Sequence, residues 1–285
     1  MKSPRLSGGK ALQKESFKAG LVYLTPILAS LLFGQLCAFL LSESPIEIYS
    51  VTPFSEDAAG SLGNAFYFVI LVSVGASLLF FLMKRKSLRL IMLVTGFALS
   101  TAVFVLSMLY LSSAFSTLTF SNLEILILIA SLLITVLADI IIFRKHSRLY
   151  DLTVLCLGGA LGAFLGVAIP TLSTILILSF LAVYDAFAVY RGPMGKIARS
   201  GLDQLRGLSF SFREVQMGLG DLTFYSMLSG HMFLNFGFAS GFAAVIGVLF
   251  GCFLAFKMLE KRGMFPGLPF PILFGLLAGF LVLQF

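Results

Sequence analysis

The chain has 285 residues, of which 59% are hydrophobic and only 12% charged, and its mean hydropathy of +1.02 excludes a soluble domain. A net charge of +7 would suit a nucleic-acid partner, but the cations are scattered in small groups between apolar runs, which excludes that class too. Apolar runs of about 20 residues can each cross a hydrocarbon core of about 30 Å.

Nine such runs follow in order, at about 18–41, 63–83, 88–111, 122–143, 152–169, 171–190, 217–236, 238–258 and 266–285. The expected fold is all-α, a polytopic membrane protein with nine transmembrane helices. Residues 1–17 form a cytoplasmic tail, 18–169 carry helices 1–5, and 170–285 carry helices 6–9. Two divisions are thin, Pro170 alone and Phe236-Gly237. All 20 Lys and Arg fall at alternate ends of these runs: Lys2 to Lys18, Lys84–Arg89, Arg144–Arg148, Arg191–Arg213 and Lys257–Arg262. The 42–62 loop instead carries Glu43, Glu47, Glu56 and Asp57. This positive-inside pattern places the N-terminus in the cytoplasm and the C-terminus outside.

The first run is too long for a signal-peptide core and offers no small-residue cleavage site, so it reads as a retained span. Cys37, Cys156 and Cys252 sit in apolar runs without metal-like or redox spacing, and read as small hydrophobes. Small residues recur every four positions at Gly158, Gly162 and Gly166, at Gly237 and Gly241, at Gly247 and Gly251, and at Gly275 and Gly279. Such stripes let helix backbones approach closely. They suit packing within one chain and leave a homo-oligomer open. In the basic 191–217 loop, Phe210 and Phe212 alternate with Ser209 and Ser211, which fits a short extended segment at 208–213.

Three aspartates lie inside apolar runs, where insertion costs about 3 kcal/mol each. Asp185 lies six residues before Arg191, about 9 Å inside the cytoplasmic end of the sixth span. Asp221 lies eight residues after Arg213, about 12 Å in if that stretch is helical. Both therefore sit at similar depth on consecutive antiparallel helices. Gly218 and Gly220 remove side chains just before Asp221, so another backbone can come close. Two such carboxylates share one proton; the ionised member activates water and the protonated member polarises a carbonyl. The same residues also fit a hydrogen-bonded helix pair or a transporter's proton relay. Asp139, five residues before Arg144, reads as structural, reaching the interface or pairing with Arg144 or Lys145. His231 and Ser229 are two apart and do not face each other on a helix, which disfavours a serine protease. No His-Glu-x-x-His is present, so no zinc protease is indicated. Tyr225, one turn after Asp221, fits either a hydrogen bond near the site or packing.

Tyr184-Asp185, then Gly218-Leu219-Gly220-Asp221, then Pro266-Gly267-Leu268-Pro269 resemble the presenilin and signal peptide peptidase family of intramembrane aspartyl proteases. That family carries Tyr-Asp, Gly-x-Gly-Asp and Pro-Ala-Leu on the sixth, seventh and ninth of nine helices. The resemblance implies that Asp185 and Asp221 are catalytic. It also implies that Tyr184, Gly218, Leu219, Gly220, Pro266, Gly267, Leu268 and Pro269 shape the site. Transmembrane segments of other membrane proteins are the implied substrates, locally unwound and paired as a strand near 208–213. No metal or other cofactor is implied. The orientation is that of presenilins, signal peptide peptidases being inverted, and the chain resembles a minimal, microbial or archaeal member. Gly267 departs from the family's alanine, so Gly267→Ala is expected to keep or raise activity unless Gly267 needs a positive φ. Prepilin peptidases also use Gly-x-Gly-Asp, but they typically have Lys two residues on, where this chain has Thr223.

Overall fold

The computed structural model describes residues 18–85, 87–118, 122–143, 148–190, 209–212, 215–262 and 265–284. The expected tail at 1–17, most of the basic 191–217 loop, and Arg144, Lys145 and His146 lie outside them. The described residues form nine α-helices: α1 (Thr25–Ser42), α2 (Ala58–Lys84), α3 (Leu88–Ala114), α4 (Leu123–Phe143), α5 (Arg148–Ala168), α6 (Thr171–Tyr190), α7 (Leu219–Phe236), α8 (Phe238–Arg262) and α9 (Pro269–Leu281). One 3-10 turn, Leu21–Leu24, leads into α1, and another, Val282–Gln284, follows α9. Two short strands, β1 (Ser209–Phe212) and β2 (Val215–Gly218), pair antiparallel with Phe210 opposite Met217.

Seven of the helices, α1 to α6 and α8, are long and apolar enough to cross a membrane. The protein is a multi-pass membrane protein. The other two expected spans depart from that type for different reasons. Helix α7 is the hub of the bundle, packed against α1, α5, α6, α8 and α9. Its neighbours are protein and not lipid, so it tolerates buried Thr223, Ser229 and His231. Thr223 donates to the Leu219 carbonyl at 3.0 Å and Ser229 to that of Ser226 at 3.3 Å. Polar atoms at membrane depth persist where the protein itself satisfies them. Helix α9 has 13 residues, about 20 Å of helix, too short for the whole hydrocarbon core.

The expected seventh span begins two residues early. Residues 215–218 are extended, so Asp221 is the third residue of α7 and the depth counted along a helix from Arg213 does not hold. The extended segment expected at 208–213 is present as β1 over its described part. Tyr23 holds this hairpin to the bundle, edge-on to Phe212 of β1 and to Phe256 of α8, each 6.3 Å between ring centres.

The glycine stripes meet partners within the chain. On α5, a Cβ at Gly158 would lie 2.8 Å from that of Leu222, and one at Gly166 would lie 2.9 Å from the His231 nitrogen. Gly247 and Gly251 of α8 press on the Phe274 and Phe270 carbonyls of α9. Gly237 is the exception: an added Cβ would meet nothing within 4 Å among the described residues, and its φ of +88° ends α7 in a conformation that alanine rarely adopts. Gly162 is the tightest contact with the hub. An added methyl would collide with the Thr223 carbonyl and lie 2.5 Å from the Ser226 Cβ and 2.8 Å from the Met227 nitrogen. Backbone cannot step aside there, so Gly162→Ala is expected to cost about 1–3 kcal/mol and to push α7 outward. Thermal unfolding in detergent checks this against Gly75→Ala, whose methyl would meet nothing within 4 Å. Equal unfolding temperatures for the two variants would contradict the packing argument.

At the far end, Asp57 caps α2 by accepting from the Gly60 N–H at 3.2 Å and from the Ser55 hydroxyl. The Ser55 hydroxyl, and after it that N–H, hold the Asp57 carboxyl below the usual carboxylate value. The cap is therefore intact at neutral pH and fades as pH falls through that lowered value. Asn64, fully buried, donates to Ser173 at 3.0 Å and ties α2 to α6. Asp139 accepts from Ser100 of α3 at 2.7 and 2.8 Å. That is a structural partner, found on a helix that spacing along α4 could not indicate.

Candidate active site

Asp185 lies on α6 five residues before its end at Tyr190, about 8 Å inside the helix. Asp221 lies in the first turn of α7, where the strand β2 ends and the helix begins. The two are brought together by a third segment. Residues 265–268 are non-helical, and Pro269 starts α9 at the position where a missing N–H costs nothing. This leaves the Gly267–Leu268 peptide free to meet side chains.

It meets both carboxylates. The Leu268 N–H donates to Asp185 Oδ2 at 3.0 Å, and the Gly267 N–H faces the same carboxylate. Gly267 also sits against Asp221. A Cβ there would be 3.1 Å from Oδ2, 3.2 Å from Cγ and 3.4 Å from Oδ1. Asp221 and Asp185 are close enough to interact electrostatically. Each is partly accessible, while Leu219, Leu222, Tyr225 and Leu268 around them are buried.

The other singled-out residues divide by place. Pro266 is buried, and Pro269 opens α9. Gly218 lies beside Asp221, where a Cβ would be 3.7 Å from Oδ2. Leu219 packs toward Gly158 of α5, and Gly220 is exposed, where an added Cβ would lie 3.9 Å from the Phe224 ring. Tyr184 adjoins Asp185 in sequence and is partly exposed. Ser229 and His231 do not pair. Ser229 bonds within its own helix, whereas the His231 ring donates to the Gly166 carbonyl at 2.7 Å and meets Thr171 at 3.1 Å.

Two residues gain a role that spacing left open. Tyr225 donates to the Gly267 carbonyl at 2.8 Å, and the Cys252 thiol of α8 lies against the same phenol. The only sequence signal for Tyr225 is its place one turn after Asp221. For Cys252 there is none, because the contact is made by packing α8 on α7.

The family described as signal-peptide peptidase, presenilin aspartyl protease matches residues 28–210. That stretch covers most of the chain and includes Asp185. The chain belongs to this family of aspartyl proteases. Among solved structures it is similar to a presenilin family intramembrane aspartate protease in two crystal forms. In the C222 form the TM-score is 0.67 at 18% identity, covering 93% of this chain and 98% of that one. In the P2 form it is 0.64 at 22% identity, covering 91% and 96%. At such identities the likeness bears on the fold, and at this coverage it extends beyond the matched residues. No curated protein matches the sequence. This presenilin-family chain is thus an aspartic endopeptidase, with nine helices among its described residues.

Proposed function

We propose that Asp185 and Asp221 are the catalytic pair of this protease, and that it hydrolyses peptide bonds within transmembrane segments of other membrane proteins. The observation that carries this reading is the convergence of both carboxylates on one peptide, Gly267–Leu268. Two carboxylates so placed share one proton. The ionised member takes a proton from water as it attacks the scissile carbonyl carbon, and the protonated member passes its proton to the carbonyl oxygen. The resulting gem-diol collapses when a proton passes to the leaving nitrogen. No metal or organic cofactor enters this scheme.

A helical substrate hides its carbonyls in internal hydrogen bonds, so it must unwind before water can attack. The two-stranded β1–β2 sheet ends at Gly218, three residues before Asp221, and its outer edges offer backbone groups to an extended guest. Whether the protease acts as one chain or as a homo-oligomer does not alter this chemistry. The test is cleavage of a single-span substrate by the purified protein in liposomes, and an intact substrate after long incubation would end the reading.

The location we infer is a membrane, the cell membrane for a microbial member, with the N-terminus in the cytoplasm. The described cations support that orientation: Lys84 and Arg85 end α2, Arg89 starts α3, and Lys261 and Arg262 end α8. A reporter fused after Phe285 is expected on the outer face, and one inserted near Gly201 in the cytoplasm. Both reporters on one side would break the nine-span topology.

A further inference from the structure

The Gly267–Leu268 peptide is engaged at both ends by the protein. Its carbonyl accepts from the Tyr225 hydroxyl on α7 at 2.8 Å, and its N–H donates to Asp185 on α6 at 3.0 Å. The peptide bonds of the described residues are trans, so carbonyl and N–H of this one planar unit point in opposite directions. Rotating the plane to free either group breaks the other bond as well. We propose that Tyr225 is a positioning residue, which holds the Gly267–Leu268 peptide plane so that its N–H stays aimed at Asp185.

Three further observations favour the hydroxyl, and not the ring alone, as the working part. The Tyr225 side chain is only 1% exposed, so its hydroxyl reaches the Gly267 carbonyl from the protein interior. A carbonyl left unpaired there would bear its full desolvation penalty. The segment concerned is non-helical and flanked by Pro266 and Pro269, so no backbone ladder holds the plane in the absence of Tyr225. Finally, a hydrogen bond at the carbonyl polarises the amide and strengthens the N–H as a donor to Asp185. Tyr225 thus acts on the carboxylate pair through one peptide.

This proposal rests on Asp185 and Asp221 being the catalytic pair, and the experiment separates the two. Tyr225→Phe keeps the ring and removes only the donor. Its kcat on a single-span substrate is expected to fall about tenfold, with KM within twofold of wild type. Tyr225→Leu, which also empties the ring's place, is expected to lose unfolding temperature in addition. A kcat for Tyr225→Phe within twofold of wild type overturns the proposal. A second measurement needs no activity: unfolding temperatures of wild type, Tyr225→Phe, Asp185→Ala and the double variant. The two losses are expected to be less than additive, because both variants release the same peptide. Strict additivity also overturns the proposal. Asp221→Asn, assayed alongside, reports on the catalytic pair alone: cleavage at the wild-type rate would remove that pair, and the unfolding cycle would still decide the case of Tyr225.

Discussion

Asp185→Asn and Asp221→Asn are each expected to lower the turnover of a single-span substrate by about a thousandfold or more. Positioned acid–base groups supply about 100- to 10,000-fold, and each aspartate here is half of one proton-sharing unit, so either loss removes the whole. Asparagine has the same shape, can still accept the Leu268 N–H at position 185, and relieves the crowding of two carboxylates. The unfolding temperature should therefore hold or rise while activity disappears. Unfolding before assay would explain lost activity without chemistry, so both readings are taken on the same preparation. Either variant keeping more than a few per cent of the wild-type rate would take that residue out of the pair.

Leu268→Arg is expected to stop proteolysis without altering either carboxylate. Leu268 is 5% exposed, and its own N–H is the group bonded to Asp185. A guanidinium at that place either pairs with the carboxylates, displacing the shared proton, or drags the turn toward water. Both outcomes disconnect the peptide from the site. Gly267→Ala makes the milder contrast. The φ of Gly267 is not positive, so the backbone condition for alanine is met. The new methyl would nevertheless lie 3.1 Å from Asp221 Oδ2, closer than side-chain carbons normally approach. A few-fold loss is now expected in place of the gain that the family's alanine implies. Cleavage rates at equal folded fraction measure both variants. An unchanged rate in Leu268→Arg would reduce this turn to a helix start, and a faster Gly267→Ala would mean that the Asp221 carboxylate shifts freely.

The nine helices of the described residues are legible in the sequence because a lipid solvent demands long apolar runs, and the alternation of basic groups follows from the same boundary. The Gly158, Gly162 and Gly166 stripe announces a close helix contact, since only small residues at a four-residue interval line one helix face. The carboxylates stand out because charge at membrane depth is rare, and the three short motifs point to the family. Periodicity could not say which helix lies opposite that stripe, nor that α7 would be the hub. Only the tertiary packing decided that Asp139 meets Ser100, that Cys252 meets Tyr225, and that Val215–Gly218 leaves the helix to pair with β1. Nor could spacing reveal the link between α6 and α7, because Asp185 and Leu268 are 83 residues apart. Local pattern is set by each segment's own contact with lipid or protein. The meeting of Asp185, Asp221 and Tyr225 at one peptide is set by how three separate segments pack.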